Sequence, residues 1–587
     1  MYDRWSLDVL YKGLDDPKFE ADRNKLSRLI DETIALADEW ENDPKADAHD
    51  MTVRLMKLEE EATLVGSELM GFLMLTRSTD MNNVAAASMI GVLQSEMTRT
   101  AKAEAKFIKL ITSAGDLDKL IAGDSFLEEY RFYLADVFRQ AEHTLSEDSE
   151  AMYSIMNLTG GSAWANLDSY LTSTLKVDYD GREVNLSTVR NLASDPDRSV
   201  RRAAYEAELS AYPKIMDPIA HALNNIKAQV NRMARERGYG SAIEQTLAES
   251  HMKRETLDAM IEAMDESMPK FREYMKAKAR YIGAGEALSW YDTIAPVGKS
   301  SRRFTKQEAH QYLLDSFSDF DEAEAEMMDR AFKEEWIDFD PRDGKEGGAF
   351  CAGLLGHNQS RILTNYDGSF DSVSTLAHEL GHAYQNLQTS SHRPLNHGMS
   401  MQVAETASTF NETHITLKAI KEADGDEKLA LIDSFLANTT QVIVDIYSRY
   451  LFEKEVFERC ENEFLMPAQL NDIMLRAQEA SYGNGLNKED RHPFMWVCKS
   501  HYYSESLSYY NFPYAFGAMF AMGLYNQYQN EGKSFVARYK KLLHDSTVLS
   551  VEDTAALAGI DVTRKEFWEE SLASFGRLID EFISLVK

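Results

Sequence analysis

Cysteine is nearly missing: three occur in 587 residues, Cys351, Cys460 and Cys498, with no CxxC spacing. That excludes a disulfide framework and a cysteine zinc site, and it suits a reducing compartment. Glycine and proline are also scarce, at 30 and 12. With the strongest helix breakers so few, a mostly helical protein is expected. Basic residues are outnumbered, 63 against 96 acidic, for a net charge of −33. Such a field repels phosphate backbones and anionic lipid, so neither nucleic acid nor a membrane surface is an expected partner. The longest apolar run, Tyr514 to Tyr525 after Pro513, falls short of the roughly 20 residues a membrane span needs and reads as a core helix. The opening segment, MYDRWSLDVLYKGLDD, has acidic residues where an export signal needs a basic start and an apolar run. A cytoplasmic protein is expected.

Hydrophobic and charged content are those of an ordinary globular chain, long enough for several domains or a few large ones at roughly 100–200 residues each. From Phe19 to about Leu171 apolar residues recur at helical spacing, as in Leu26, Leu29, Ile30 and Ile34. Around Leu175–Leu186 two short alternating runs meet at Asp180-Gly181, a pair that tolerates the positive φ of a tight hairpin. A boundary is placed there, giving a helical N-terminal domain, 1–189, and a second, larger domain, 190–587. Asp195-Pro196-Asp197 predicts the start of another helix, with the proline in its first turn. Residues 340–348, with one proline and three glycines, read as a loop. Ala349–Ala352 and Arg361–Tyr366 are short enough to be strands of a small sheet, the second ended by Asp367-Gly368.

The informative segment is His378-Glu379-Leu380-Gly381-His382. It sits in a helical pattern whose apolar stripe is Val373, Leu376, Leu380, Tyr384 and Leu387, with Ser369 or Asp371 as the cap. At i and i+4 the two histidines share a face and can offer two nitrogens to one Zn²⁺. Glu379, beside a ligand without being one, is placed to take a proton from an attacking water. A catalytic zinc needs a third protein ligand. Downstream, a helical run from Met401 carries Glu405 among Val403, Ala404, Ala407 and Phe410, which makes it the candidate. On the same expected face, Ser408 and Glu412 could hydrogen-bond the ligands; Glu412 reads equally as a solvated surface residue.

These segments, with Arg4–Tyr11, Gly347–Cys351, Leu363–Ser369 and Val403–Glu412, resemble oligoendopeptidase F, of the thimet-type zinc oligopeptidases, over nearly the whole chain. The resemblance implies one zinc per chain on His378, His382 and Glu405, with Glu379 as general base and acid. It implies a two-lobed helical zincin-type fold with a small sheet beside the active-site helix and a deep channel that restricts substrates to short unstructured peptides. It also implies oxyanion donors near the C-terminus, for which His501, Tyr510 and Tyr514 are the candidates, although Ser506-Leu507-Ser508 departs from the family pattern. A substrate-pairing edge strand would involve Gly348, Ala349 and Phe350; a plain loop-to-strand transition reads equally well. Of the nearby loop histidines 357, 392 and 397, His397 is the candidate substrate contact. The expected activity is internal cleavage of oligopeptides. A metallocarboxypeptidase using the same site, and a catalytically silent peptide-binding protein, are the rival readings.

Overall fold

The structure is a computed structural model and describes residues 4–43, 45–298 and 302–587. It is mostly α-helical, as the shortage of helix breakers predicts. Two compact units are each assembled from three separated stretches of chain. The first takes the chain up to Thr144, then Arg302–Ile415 and Asn530–Ala558; the second takes Leu145–Ser301, Thr416–Gln529 and Gly559–Lys587. The boundary expected at 189 therefore falls inside the second unit.

In the first unit, helices Pro17–Asn42 and Ala48–Thr79 pack along their apolar faces. Each starts on an aspartate, Asp16 and Asp47, whose carboxylate accepts from an otherwise orphaned first-turn N–H. Tyr11, Phe19 and Phe72 interlock edge-on, and Leu354, Phe350 and Ala352 of the sheet pack on the same core. The sheet has three strands, β3 (Ile337–Asp338), β4 (Phe350–Leu354) and β5 (Gln359–Leu363), with β5 central, parallel to β3 and antiparallel to β4. Against expectation, β4 runs two residues further. The segment Thr364–Tyr366 lies beyond β5, its amides bonded irregularly to Asp338 and Phe339. β3 carries too few residues to show alternation.

The second unit contains the expected hairpin, β1 (Lys176–Tyr179) and β2 (Arg182–Asn185), turning on Asp180 and Gly181 at φ of 50° and 70°. Here Asp197, not the proline, starts the next helix: its side chain caps Arg198–Ala211, and Pro196 lies before it. Helices Arg254–Tyr281, Gly425–Thr440 and Lys565–Leu585 pack together. The rod Gly425–Cys460 is long and apolar enough by composition to cross a membrane, yet 61% of its most apolar window is buried inside the protein, as in a core helix. Two ion pairs lie within this unit's core, Lys227–Glu453 at 2.8 Å and Lys278–Asp433 at 2.9 Å. The apolar run at Tyr514–Tyr525 is the buried middle of helix Phe512–Glu531, as expected.

Candidate metal centre and catalytic residues

Helix Phe370–Thr389 positions the motif. Of the two caps considered, Ser369 is the one formed: its side chain accepts from the Ser372 amide at 3.1 Å. Asp367 accepts from the Ser369 amide and the Ser372 hydroxyl, which hold its carboxyl down at about 2. Val373, Leu376, Leu380 and Tyr384 are buried, and the Tyr384 hydroxyl donates to Asp321, which also pairs with Lys540. Gln385 donates to the Leu543 carbonyl at 3.1 Å and to Ser546 Oγ at 2.8 Å, fixing the back of the helix to the segment 536–546.

Burying that face turns His378 and His382 to the other side, ring centroids 5.0 Å apart. Their Nε2 atoms converge on one oxygen of Glu405, at 3.2 and 3.3 Å. Glu405 is not within a continuous helix, as expected from the sequence. It ends the short helix Met401–Ala404 with φ of −93° and ψ of 8°, and a second helix, Thr406–Glu422, begins after it. The break turns the carboxylate toward the histidines. Ser408 is fully buried and donates to that same Glu405 oxygen at 2.8 Å. Glu412 accepts from His378 Nδ1 at 3.2 Å, which leaves Nε2 as the nitrogen turned toward Glu405. Glu412 is thus engaged, not a solvated surface group.

The electrostatics favour a cation. Burial opposes charge on His378, but its bonds to Glu405 and Glu412 outweigh that and push it up to about 10. Burial likewise opposes ionisation of Glu405, and the two imidazoles hold it well below the usual carboxylate range. The donor atoms of His378, His382 and Glu405 all lie within 4.8 Å of one another. Two imidazole nitrogens and a carboxylate oxygen, with their partners held by other side chains, are a donor set that fits a catalytic zinc. Glu379 is 6% exposed, and burial raises its pKa against the pull of His378 and His382.

The sheet approaches this helix closely: a Cβ on Gly353 would stand 2.9 Å from Asn386 Cγ. β4 is an end strand of the sheet and is half-buried along most of its length. Gly348 adopts φ of 81°, and its carbonyl accepts from Asn365 at 2.9 Å, so Ala349 and Phe350 enter the strand from a fixed turn. His397 bonds the His392 carbonyl at 3.2 Å and lines a cavity of about 230 Å³ with Gly353, Asn358, Asn386 and Met399.

In the second unit the three C-terminal candidates come together. His501 meets Tyr510 edge-on at 4.8 Å and lies near-parallel to Tyr514 at 6.5 Å, and the Tyr514 hydroxyl donates to that of Tyr510 at 3.0 Å. Tyr510 thereby keeps its own proton for another acceptor. Sequence reasoning missed Asn511, which accepts from both His501 and Arg449. It also missed Asn411, which ties the Ala377 carbonyl of the site helix to Glu324. Neither asparagine belongs to a spacing pattern.

The family model for Peptidase family M3 matches residues 191–574, and that for Oligopeptidase F matches residues 112–176. Group B oligopeptidase PepB of Streptococcus agalactiae serotype III is 28% identical over 475 residues, 78% of this chain and 77% of its own. Oligopeptidase PepF of Bacillus subtilis is 25% identical over 501 residues, 83% and 74% of the two chains. Among solved structures, the fold is shared with one from Chlamydophila abortus, at TM-score 0.84 and 19% identity over 99% of this chain and 98% of that one. It is also shared with oligoendopeptidase-F from Enterococcus faecium, at TM-score 0.68 and 18% identity over 97% and 99%. With two histidines of a His-His-Glu donor set on the predicted helix, the glutamate brought to them from a later segment, and more than half its length matched, this chain belongs to peptidase family M3, the metallo-oligopeptidases related to oligoendopeptidase F.

Proposed function

We propose that the protein is a zinc-dependent endopeptidase that cleaves internal bonds of short, unstructured peptides. The observation that carries this is the convergence of His378 Nε2 and His382 Nε2 on one Glu405 oxygen, on the same helix as a buried Glu379. When bound by these three residues, zinc supplies Lewis acidity toward water and the scissile carbonyl. Glu379 does the proton work. Its raised pKa brings it nearer the operating range of a general base, so it accepts a proton from the attacking water and returns it to the leaving amine. Ser408 and Glu412 hold the ligands in place. Tyr510, its oxygen already accepting from Tyr514, donates its proton to the oxyanion that grows on the substrate carbonyl.

The end strand β4 binds substrate main chain through unpaired backbone groups, a mode that reads an extended backbone more than its side chains. His397 would contact the substrate from the neighbouring cavity. A cytoplasmic location is part of the same reading and is supported by three free cysteines.

The test is cleavage of a fluorescence-quenched peptide of about ten residues, blocked at both ends, by wild type and Glu379→Gln at matched zinc content. Internal cleavage by wild type alone supports the reading. Cleavage of only the unblocked peptide, from its C-terminus, would replace it with a carboxypeptidase.

A further inference from the structure

The chain that follows the site helix and the helix that backs it meet in a cluster that the peptidase chemistry does not use. All of it lies in the first unit. After helix Phe370–Thr389 the chain passes through Ser391 and His392 into the short 3₁₀ turn Pro394–His397. Opposite stands helix Val536–Asp545, whose last two residues are His544 and Asp545. The rings of His392 and His544 are 4.3 Å apart, centre to centre. One ligand atom from each of His392, His544 and Asp545 lies within 4.8 Å of the other two, and the donor types are those of the His378, His382 and Glu405 set.

The hydrogen bonds around these groups orient them as ligands. His392 Nε2 lies 2.7 Å from the His544 carbonyl oxygen. That oxygen only accepts, so Nε2 carries the hydrogen, and in the neutral ring Nδ1 carries the lone pair. Metal-binding histidines are commonly held this way, one N–H on a backbone carbonyl and the other nitrogen on the ion. His544 Nδ1 lies 2.5 Å from Asp545 Oδ1 and its Nε2 lies 3.0 Å from the Ser391 hydroxyl, so the second ring is fixed as well. Lys541 pairs with the other Asp545 oxygen, but its side chain is 62% exposed and is free to swing into water.

Two further features favour a cation. The cluster sits at the C-terminal end of a helix, where unpaired carbonyls and the dipole concentrate negative charge. The loop that carries His392 is also anchored without any ion: Arg393 pairs with Glu60 at 2.6 Å and Glu129 at 3.2 Å, and Asn396 donates to the Glu129 carbonyl at 2.7 Å. The three donors are only half-buried, which leaves an ion a way in from solvent.

We propose that His392, His544 and Asp545 form a second metal site, separate from the His378, His382 and Glu405 centre, for a divalent transition-metal ion of the Zn²⁺ type. Imidazole donors select such ions over Mg²⁺ and Ca²⁺, which prefer all-oxygen sites. The two histidines are 152 positions apart in sequence, so an ion between them clamps the loop after the site helix to the helix behind it and stabilises the folded first unit. The site stands whether or not the chain cuts peptides.

The test counts zinc in the full-length protein. Wild type, His392→Gln, His544→Ala and Asp545→Asn are stripped with a chelator and equilibrated with rising free Zn²⁺ in excess Mg²⁺, and bound zinc is measured by elemental analysis. Wild type should take up two zinc ions per chain, His392→Gln and His544→Ala one, and Asp545→Asn should bind the second more weakly. The second ion should raise the Tm of wild type and leave that of His392→Gln where the first ion put it. The glutamine amide can still donate to the His544 carbonyl, so this variant decides the matter even if His544→Ala does not fold. Equal zinc in wild type and His392→Gln overturns the proposal: one ion in each would make the cluster a plain hydrogen-bonded contact, and two would put the second ion elsewhere. A first centre that held no zinc would lower every count by one and leave the difference between wild type and variant intact, so failure of the zinc-peptidase reading is told apart from failure of this one.

Discussion

Gly381 lies directly against the backbone of Ala407: a Cβ there would stand 2.6 Å from the Ala407 carbonyl oxygen and 2.6 Å from Ser408 Cα. These are main-chain atoms and cannot swing aside. The glycine between Glu379 and His382 therefore sets how near the helix that carries the histidines comes to the one that begins after Glu405.

Gly381→Ala should force the two helices apart by some tenths of an ångström. Overpacking of this kind costs typically about 1–3 kcal/mol, and the distance from Glu405 to the histidines grows with it. The expected outcome is a lower Tm and weaker zinc binding, both measurable by melting in the presence and absence of zinc. Unchanged zinc affinity would show that the ligand geometry does not depend on this approach.

Glu379→Gln should bind zinc as wild type does, because Glu379 is not among the converging donors, yet lose about 10²–10⁴-fold in kcat. Zinc assay beside steady-state kinetics checks both halves. Equal loss of metal and of activity would mean that Glu379 acts on the site's integrity instead of on a proton.

Glu412→Gln removes the charge that orients His378 while keeping most of the volume. Outer partners of metal-binding histidines are worth roughly 10–100-fold in metal affinity, and a loss in that range is expected by competition with a chelator. Ser408→Ala should show a smaller loss, since it removes one neutral donor to Glu405.

Glu324 is fully buried behind the site helix. It accepts one bond, from Asn411 Nδ2 at 2.7 Å, its second oxygen has no hydrogen-bond partner, and burial raises its carboxyl to about 8. Its folded pKa lies above the ordinary value of 4.5, so the neutral acid costs nothing below about pH 4.5 and its contribution becomes unfavourable between there and about pH 8. Glu324→Gln, which is never charged, should therefore raise Tm more at pH 8 than at pH 5. The gain corresponds to roughly 1–3 kcal/mol at the higher pH. A gain that does not change with pH would place an ionised Glu324 in the fold at neither value.

The helical character, the hairpin at Asp180-Gly181 and the helix around His378 were legible because each rests on local periodicity or turn chemistry. Ser408 and Glu412 were found from their spacing to Glu405, although the helix assumed for that spacing is broken at Glu405 itself. Their places survive because the backbone stays close to helical through the break. The division into units was not legible: each unit is closed by stretches far apart in sequence. Asn511 was hidden for a different reason. An asparagine among aromatic residues carries no pattern of its own, and its role comes from Arg449, 62 positions away.

The bond from Gln385 to the segment around Leu543 and Ser546 bears on how the protein is made. A ribosome that has delivered residue 415 has already released His378, Glu379, His382, Glu405 and Glu412. The helix carrying the first three still lacks its backing, because the segment that Gln385 grips, and the Lys540 that pairs with Asp321, are synthesised more than 120 residues later. Bringing the donors together is thereby tied to late translation, and an unfinished chain carries the chemistry of the site without the packing that steadies it.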